Sequence, residues 1–406
     1  MTLPAEIVSQ GDEVVTGLVA DTNAAFLARL LEAAGLGVTR HVAVGYDRDA
    51  IAAALGDAAS RAAHVVCSGG LGPTDDDLTA DAVALAFGLP LEERPEALAQ
   101  VEARYAAFGR PVGPSGRRQA RLPQGALLLE NRSGTAPGFR VDVPGSVLWF
   151  LPGVPREMEQ MAREHLEPAL AALGLPRDRI HVVRCVGIGE GVVQERMRDL
   201  RIPPGVRVGW RAAIAEVQVR VRAAPAVPDD VLAAYLGDVA AALGDRVFGV
   251  DSGPLEEVVG HRLRDRGETL ATAESCTAGR LAAAITRVPG ASEWFLEGAV
   301  VYANEAKVRT CGVPPAALAA HGAVSEPVSR ALAEGIRARA GSTWGLATTG
   351  IAGPTGGTPD KPVGTVHLAL AGPRGTNHRR IHLVGAREPV MDRAVGAALD
   401  LLRGAL

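Results

Sequence analysis

The chain has 406 residues, a length that predicts two or three domains at about 100–200 residues each. With 47% apolar residues and a net charge of −4, it is expected to be globular and to have no global attraction to nucleic acid or to membranes. Its four cysteines are far apart and no apolar run approaches the roughly 18 residues of a membrane span, so we expect a cytoplasmic protein without a disulfide framework, a zinc site or a membrane segment.

The first part of the chain, residues 6–168, alternates β-rich segments with Ala/Leu-rich helical segments. Its first five segments are AEIVS, TNAAFLARLLEAAG, VTRHVAVG, RDAIAAALGDAASRA and HVVCSGG. This alternation predicts a parallel sheet with helices on both faces. Open α/β sheets bind ligands at the carboxyl ends of their strands, so we expect function in the loops SQGDE, VGYDRD and SGGLGPTDDDLT.

The third of these loops, residues 68–79, joins a glycine turn to three consecutive carboxylates, which we expect to open a helix. Glycines admit a phosphate or a pterin close to the backbone, and clustered carboxylates suit a hard divalent cation. Capping of the helix by Asp75, Asp76 and Asp77 is the alternative. One carboxylate suffices for a cap, so three of them favour ligand binding.

The middle segment, residues 177–250, is predicted to be a small α+β module. It consists of a strand HVVRCVG, a helix VVQERMRDL, strands GVRVGW and AEVQVRVRA and a helix PDDVLAAYLGDVAAAL, and it continues through VFGVDSGP. It is also rich in arginine. Solvated arginines balanced by acidic residues are favoured over a nucleic-acid surface, because few aromatic side chains are available for base stacking.

The last segment, residues 255–406, returns to α/β alternation. Its predicted helices include LEEVVGHRLRDRG, TAGRLAAAITRV and the C-terminal REPVMDRAVGAALDLLRGAL, and its strands include ETLATAES, WFLEGAVVYAN, WGLATTGIAG, GTVHLALAG and HRRIHLVG. We see no repeat between this segment and the first.

The densest group of reactive residue types begins where a strand of this segment ends, at residues 273–279. A serine at a strand-to-helix junction has its hydroxyl beside free backbone N–H groups, which suit an oxyanion. On this segment alone, the favoured explanation is that Ser275 or Thr277 caps the helix.

A second segment, residues 300–307, supplies the base that a serine nucleophile needs. No histidine lies in either segment, and the histidines elsewhere are scattered, so a Ser-His-Asp triad has little support. A lysine removed from water loses its proton more easily, and a tyrosine hydroxyl relays protons. Lys307 and Tyr302 are therefore the candidates, although Lys307 taken alone resembles a solvated surface lysine.

A third segment, residues 348–357, follows an apolar strand and is rich in glycine, which lets backbone amides approach an anion closely. The strings AESCTAG, VVYANEAKV, TTGIAGPTGG and DKPVGTV together resemble the C-terminal, PncC-type amidohydrolase domain of the CinA family over residues 255–406. The resemblance implies hydrolysis of nicotinamide mononucleotide to nicotinic acid mononucleotide and ammonia through an acyl-enzyme, without a cofactor. Two positions depart from the family pattern: Ala278 replaces a usual glycine and Thr355 interrupts a glycine run.

The same resemblance implies a role for each matching residue. Ser275 is the nucleophile, Lys307 the base and Tyr302 a proton relay or orienting group. The implied substrate contacts are Glu274, Cys276, Thr277, Gly279, Gly350, Ile351, Ala352, Gly353 and Lys361.

The first segment resembles the molybdopterin-binding-like domain of the same family over residues 1–168. The resemblance is carried by residues 11–13, 21–23, 47, 68–79, 131–138 and 151–158. It implies a metal-dependent ADP-ribose pyrophosphatase that yields AMP and ribose 5-phosphate, with a divalent ion of open identity, with or without a monovalent ion. A molybdopterin-binding module without hydrolysis stays open as the alternative. The implied site residues are Asp12, Glu13, Asn23, Asp47, Gly69, Gly70, Gly72, Thr74, Asp76, Asp77, Thr135 and Gly138, with Asp12, Asp47 and Asp77 as metal ligands.

The predicted architecture is therefore a three-layer α/β/α domain at 1–170, a KH-like α+β module at 176–250 and an α/β amidohydrolase domain at 254–406. The middle module resembles the spacer or dimerisation element of the family. We expect a homodimeric enzyme that recycles pyridine nucleotides. A nucleic-acid-associated competence factor is the remaining hypothesis.

Overall fold

A computed structural model describes residues 3–213 and 215–406 of the chain. It contains two compact units, one ending at Asp178 and the other beginning at Arg179. Within those two ranges, every helix is too short or too polar to cross a membrane. The second unit contains both the predicted middle module and the predicted C-terminal domain, so the boundary at 250–254 stays a prediction.

The first unit follows the predicted alternation of strands and helices, with a π-helical turn at Ala162–Leu166 between its last two helices. Its elements are β1 (Pro4–Gln10), α1 (Asp12–Val15), α2 (Thr22–Ala33), β2 (Gly37–Val44), α3 (Arg48–Arg61), β3 (His64–Ser68), α4 (Thr79–Phe87), β4 (Leu91–Glu93), α5 (Pro95–Ala107), α6 (Pro114–Arg118), β5 (Arg121–Pro123), β6 (Leu127–Leu129), β7 (Gly138–Val143), β8 (Ser146–Leu151), α7 (Pro155–Met161) and α8 (Glu167–Ala171).

The main sheet of this unit has the strand order β2-β1-β3-β8-β7-β6. Its first four strands are parallel, as predicted, whereas β7 pairs antiparallel with β8 and β6 pairs antiparallel with β7. Apolar residues of α2 and α7 pack on one face and those of α3 and α4 on the other. The mixed α/β fold with two covered faces is therefore confirmed, and the carboxyl ends of β1, β2, β3 and β8 share one edge.

The second unit contains the remaining elements, with short 3₁₀ turns at Gly244–Arg246 and Ala291–Glu293. They are β9 (Arg179–Val186), α9 (Glu190–Met197), β10 (Val206–Ala212), β11 (Glu216–Ala223), α10 (Asp229–Leu243), β12 (Val247–Val250), α11 (Leu255–Asp265), β13 (Leu270–Glu274), α12 (Arg280–Thr286), β14 (Phe295–Val300), α13 (Asn304–Cys311), α14 (Pro315–His321), α15 (Glu326–Ala340), β15 (Trp344–Gly350), β16 (Thr365–Gly372), β17 (Gly375–His382) and α16 (Arg387–Arg403).

Two sheets organise this unit. The first is antiparallel, with the order β10-β11-β9-β12. Its strand β12 lies in the stretch that the sequence suggested was only a connection. The strand forms because Phe248 is buried in the core while the backbone pairs with β9.

The second sheet has the order β14-β13-β15-β16-β17. Strands β14, β13 and β15 are parallel, and β16 and β17 are antiparallel to their neighbours. Apolar residues of α11, α12 and α16 cover one face, and those of α13 and α15 cover the other. The central strand β13 therefore ends between the carboxyl ends of β14 and β15, where the segments after all three strands meet.

Candidate functional site

The candidate nucleophile Ser275 is the first residue after β13 and is held by both neighbouring strands. Its N–H donates to the carbonyl of Thr348 at 2.9 Å, and the carbonyl of Glu274 accepts the N–H of Val301 at 2.8 Å. The side chain is 9% exposed. The backbone of Ser275 is thus fixed at the carboxyl edge of the sheet, in a largely buried position.

The turn after Ser275 is tied to α12 by the side chain of Glu274, which is fully buried. Its carboxylate accepts the N–H groups of Gly279 and Leu281 at 3.0 Å each and of Ala282 at 2.8 Å. It also accepts the hydroxyl of Thr277 at 2.7 Å. The helix N-terminus that we expected to offer free donors to an oxyanion is therefore filled by a side chain of the protein.

This arrangement corrects the expected contacts of three side chains with the substrate. The side chains of Glu274 and Thr277 have no exposed surface, and that of Cys276 is 6% exposed. Burial raises the pKa of the Cys276 thiol to about 12. These side chains hold the turn together, and neither Ser275 nor Thr277 caps α12.

Lys307 lies on α13, and only 1% of it is exposed. Its Nζ donates to the carbonyl of Tyr302 at 2.8 Å, and within the described ranges it has no carboxylate at ion-pair distance. Burial lowers the pKa of Lys307, while Cys276, Glu305 and Cys311 act in the opposite direction. The amine lies near the nucleophile turn, because it bonds the carbonyl of Tyr302 while the preceding residue, Val301, donates its N–H to the carbonyl of Glu274. It makes no direct hydrogen bond with the Ser275 hydroxyl among the contacts described.

Tyr302 follows β14 and is 59% exposed. Its hydroxyl accepts a hydrogen bond from Nη2 of Arg387 at 3.0 Å, while Nη1 of the same arginine donates to the carbonyl of Gly353 at 2.7 Å. The hydroxyl thus faces the glycine-rich loop, and the backbone carbonyl faces Lys307. Sequence reasoning missed Arg387, although a cation at the start of α16 is unfavourable to the helix dipole and signals a role outside the helix.

The glycine-rich loop runs from the end of β15 to the start of β16. The N–H of Ile351 donates to the carbonyl of Thr365 at 2.9 Å, which closes the base of the loop. Gly353 has φ +80°, and a Cβ at this residue would approach a methyl of Val363 to 2.5 Å. Ala352 is buried, and the ammonium of Lys361 donates to the carbonyl of His321 at 2.8 Å. The loop is thus a closed structure beside the Ser275 turn.

Two of the histidines that appeared scattered in the sequence form a pair. Nδ1 of His367 and Nε2 of His378 are 2.9 Å apart, and Nδ1 of His378 lies 3.4 Å from a carboxylate oxygen of Glu326. Burial lowers the pKa of His367 to about 4, and the neighbouring imidazole of His378 contributes to this lowering. No histidine in the described ranges hydrogen-bonds Ser275.

In the first unit, the carboxylates after β1 and β2 are engaged locally. Asp12 accepts the N–H of Tyr46 at 3.1 Å, and Glu13 accepts the Tyr46 hydroxyl at 3.2 Å. Burial and the charge of Glu13 raise the pKa of Tyr46 to about 12. Asp47 accepts the N–H of Ala50 at 2.8 Å and so caps α3.

The three consecutive carboxylates do not open a helix, because α4 begins at Thr79. Asp77 accepts both the N–H of Thr74 at 2.8 Å and its hydroxyl at 2.6 Å, which closes a turn. Asp75 is paired with Arg118 at 2.6 Å. Within residues 3–213 and 215–406, no three acidic, histidine or cysteine side chains are arranged to hold a metal ion. The predicted ligand set of Asp12, Asp47 and Asp77 therefore does not fit a metal site by itself.

The glycine turn after β3 approaches other backbone closely. Gly69 and Gly70 have φ of +109° and +67°, and a Cβ at Gly69 would lie 2.5 Å from the carbonyl oxygen of Gln10. Gln10 and Gln119, which the sequence did not single out, are buried beside this turn. Nε2 of the first and Oε1 of the second have no protein partner among the described residues. Both are buried polar atoms whose hydrogen-bonding capacity the described protein groups leave unused.

The other expected residues of this unit lie around the same edge or inside the core. Nδ2 of Asn23 donates to the hydroxyl of Ser68 and to the carbonyl of Gly153, both at 2.8 Å, and so joins the segments after β3 and β8. Thr135 accepts from Gln119 at 3.4 Å. Gly138 packs internally: a Cβ there would lie 2.6 Å from the carbonyl oxygen of Phe150, so its expected ligand contact is replaced by a packing role.

Comparisons with known proteins find similarity in both the N-terminal and the C-terminal part of the chain. A family model described as "CinA C-terminal domain" matches residues 252–406, and one described as "Probable molybdopterin binding domain" matches residues 6–172. A CinA-like protein of Anaeromyxobacter sp. is 46% identical over 100% of both chains. A CinA-like protein of Myxococcus xanthus is 43% identical, over 98% of this chain and 97% of that protein. A crystal structure of CinA from Thermoplasma acidophilum, described as of unknown function, is 35% identical with a TM-score of 0.39 and covers 41% of this chain and 98% of that one.

Proposed function

The chain belongs to the CinA family, and from that premise we propose that its C-terminal region hydrolyses nicotinamide mononucleotide to nicotinic acid mononucleotide and ammonia. One observation carries the proposal. A buried lysine amine, without a carboxylate partner in the described ranges, lies near the strand-end turn that presents Ser275. This is the environment in which an amine serves as a base towards a serine hydroxyl.

The proposed reaction proceeds in two halves. Neutral Lys307 accepts the proton of Ser275, directly or through a water, and Oγ attacks the carboxamide carbon. The lysine ammonium then returns the proton to the amide nitrogen, the C–N bond breaks and ammonia leaves, so that an ester on Ser275 remains. A water gives a proton to the same amine and attacks the ester. The lysine ammonium returns that proton to Oγ as the ester C–O bond breaks, which releases the acid and restores both Ser275 and neutral Lys307.

The developing oxyanion must find donors outside α12, because Glu274 already accepts three N–H groups there. We assign this role to backbone N–H groups of residues 276–278 and of the glycine-rich loop. Arg387 links that loop to Tyr302, and we propose that these two side chains and Lys361 line the substrate side of the site.

The test is a direct assay of the intact protein with nicotinamide mononucleotide. Ammonia and nicotinic acid mononucleotide should appear in equal amounts, and Ser275→Ala should abolish both. Asp77→Asn, a change in the other unit, should leave this rate unaltered. A wild-type protein that releases no ammonia would refute the proposal.

A second activity is proposed for the N-terminal unit, which matches the molybdopterin-binding model. Its glycine turn lies at the carboxyl edge of the sheet, beside two buried glutamines with unpartnered polar atoms. These features support binding of a phosphate-bearing ligand with a polar ring edge. We propose ADP-ribose as that ligand, hydrolysed to AMP and ribose 5-phosphate. Binding of a molybdopterin without hydrolysis is the competing assignment.

Incubation with ADP-ribose and a panel of divalent ions separates these two assignments. Formation of AMP with at least one ion, retained in Ser275→Ala, supports hydrolysis. Absence of AMP with every ion leaves only the binding role.

A further inference from the structure

Glu274 is a buried acidic residue for which the proposed reaction has no chemical use. It is the last residue of β13 and is fully buried, and it directly precedes the nucleophile. Within the described ranges no Lys, Arg or His side chain lies at ion-pair distance from it. A buried carboxylate without a counter-ion is costly unless hydrogen bonds compensate it.

Among the described residues, the groups that compensate it lie in the turn and at the start of α12. Oε2 accepts the N–H groups of Gly279 and Leu281 and the hydroxyl of Thr277, and Oε1 accepts the N–H of Ala282. The Thr277 hydroxyl also lies 2.7 Å from that of Thr348 on β15. One carboxylate therefore connects the end of β13, the turn, the helix and, through a threonine, the neighbouring strand.

The turn contains two consecutive residues with left-handed backbone, Ala278 at φ +51° and Gly279 at φ +92°. An L-residue adopts this conformation only at a cost, so contacts elsewhere must hold it. The hydrogen bonds of Glu274 to residues 277–282 provide those contacts. They hold the segment 275–279 at its far end, while Ser275 at its start directly follows Glu274 and donates its N–H to the carbonyl of Thr348.

We propose that Glu274 is a positioning residue for the nucleophile: its carboxylate sets the geometry of the turn that presents Ser275, and it touches neither the substrate nor the reacting atoms. The inference rests on the proposed amidase activity. A glutamine at this position keeps the shape but puts an NH₂ group where the carboxylate accepts hydrogen bonds, so at least one backbone N–H loses its acceptor. An aspartate keeps the charge but is one methylene too short.

The experiment compares the intact wild type with Glu274→Gln, Glu274→Asp and the matched control Glu293→Gln, which removes an exposed carboxylate of the same region. Steady-state rates with nicotinamide mononucleotide give kcat and KM. Thermal unfolding confirms that each variant is folded at the assay temperature. Calorimetric titration of Ser275→Ala, with and without Glu274→Gln, gives the substrate Kd independently of turnover.

A displaced nucleophile lowers turnover without weakening binding, so Glu274→Gln should lose about 10²-fold in kcat. Because Glu274 does not contact the substrate, the Kd of the variant should stay within about threefold of the Kd without the Glu274→Gln change. A threefold difference corresponds to less than about 1 kcal/mol of binding free energy. Glu274→Asp should not restore the rate, and Glu293→Gln should match the wild type. An unchanged kcat in Glu274→Gln, or a Kd that weakens in proportion to the lost rate, would overturn the inference, the latter because it indicates a substrate contact.

Amide hydrogen exchange provides a readout that does not depend on the amidase. In Glu274→Gln the N–H groups of Gly279, Leu281 and Ala282 should exchange about 10- to 100-fold faster, as loss of charge-assisted hydrogen bonds predicts. Unchanged exchange would overturn the positioning role even if the wild type is active. An inactive wild type with accelerated exchange in the variant would refute the proposed substrate alone.

Discussion

Replacement of Lys307 by methionine tests the proposed base most directly. Methionine has a similar length, and it matches a site in which only 1% of the lysine is exposed. The change removes one hydrogen bond, from Nζ to the carbonyl of Tyr302 at 2.8 Å. No ion pair is lost, because Lys307 has no carboxylate partner in the described structure. We therefore expect a folded variant.

The stability effect has a defined sign. Burial lowers the pKa of Lys307 in the folded state, so between that pKa and its ordinary value the unfolded state binds more protons. The wild type therefore gains stability as pH rises through this window, at about 1.4 kcal/mol for each unit by which the pKa is lowered. Below the window the wild type retains the full cost of the buried charge.

The methionine variant has no such titration. The stability of the variant relative to the wild type should be greatest below the lowered pKa of Lys307 and should decline as pH rises from there towards 10.5, the ordinary lysine pKa. The lost hydrogen bond offsets about 1 kcal/mol of this advantage. Denaturant unfolding at several pH values measures the difference. A difference that is independent of pH would show that the amine is not desolvated.

The effect on activity is larger. Loss of a general base lowers the rate by about 10²–10⁴-fold, and Lys307→Arg should fail as well, because a guanidinium stays protonated. In the wild type, kcat/KM should rise with pH through an apparent pKa below 10.5. Ammonia release from nicotinamide mononucleotide measures both. Equal rates for the wild type and Lys307→Met would refute the reasoning, as would an arginine variant with full activity.

Three further changes test other parts of the chain. Ala278→Gly relieves a left-handed backbone and should raise the free energy of unfolding by up to about 1 kcal/mol. The control Ala282→Gly, within α12, should lower it by about 1 kcal/mol, and thermal melts that show the same loss of stability in both variants would contradict the assigned turn. Arg387→Met breaks the link to the glycine-rich loop and should raise KM for nicotinamide mononucleotide about tenfold, since charge-assisted hydrogen bonds are worth about 1.5–3 kcal/mol. An unchanged KM would exclude Arg387 from the substrate side of the site. Gly69→Ala cannot avoid the carbonyl of Gln10 and should abolish AMP formation from ADP-ribose while ammonia release continues; retained AMP formation would place that site elsewhere.

The elements of both α/β regions could be predicted from the sequence because their periodicity is local. Strand β13, for example, is a continuous buried run followed by a turn and a helix, and its neighbours show the same pattern. Strand β12 was missed because four residues are too few to show a period, and its formation depends on pairing with β9.

The site was only partly predictable for the same reason. The strings around Ser275 and Lys307 are local, but the link from Arg387 to Tyr302 spans 85 residues and depends on how the sheet brings the ends of β14 and β15 together. An ordinary capping residue lies directly before its helix, whereas Glu274 reaches the start of α12 from the end of the preceding strand. The sequence therefore shows no recognisable capping pattern for it. In the first unit, Asp47 and Asp77 resembled metal ligands in the sequence, yet each is engaged by a nearby N–H group.

The filled N-terminus of α12 also bears on how the proposed amidase would release its product. Hydrolysis of a carboxamide creates a carboxylate at the reacting carbon, and an open helix start would attract that new anion and slow its departure. Here an internal carboxylate already occupies the start of the helix. A newly formed acid would therefore meet repulsion from that side, which favours turnover over retention.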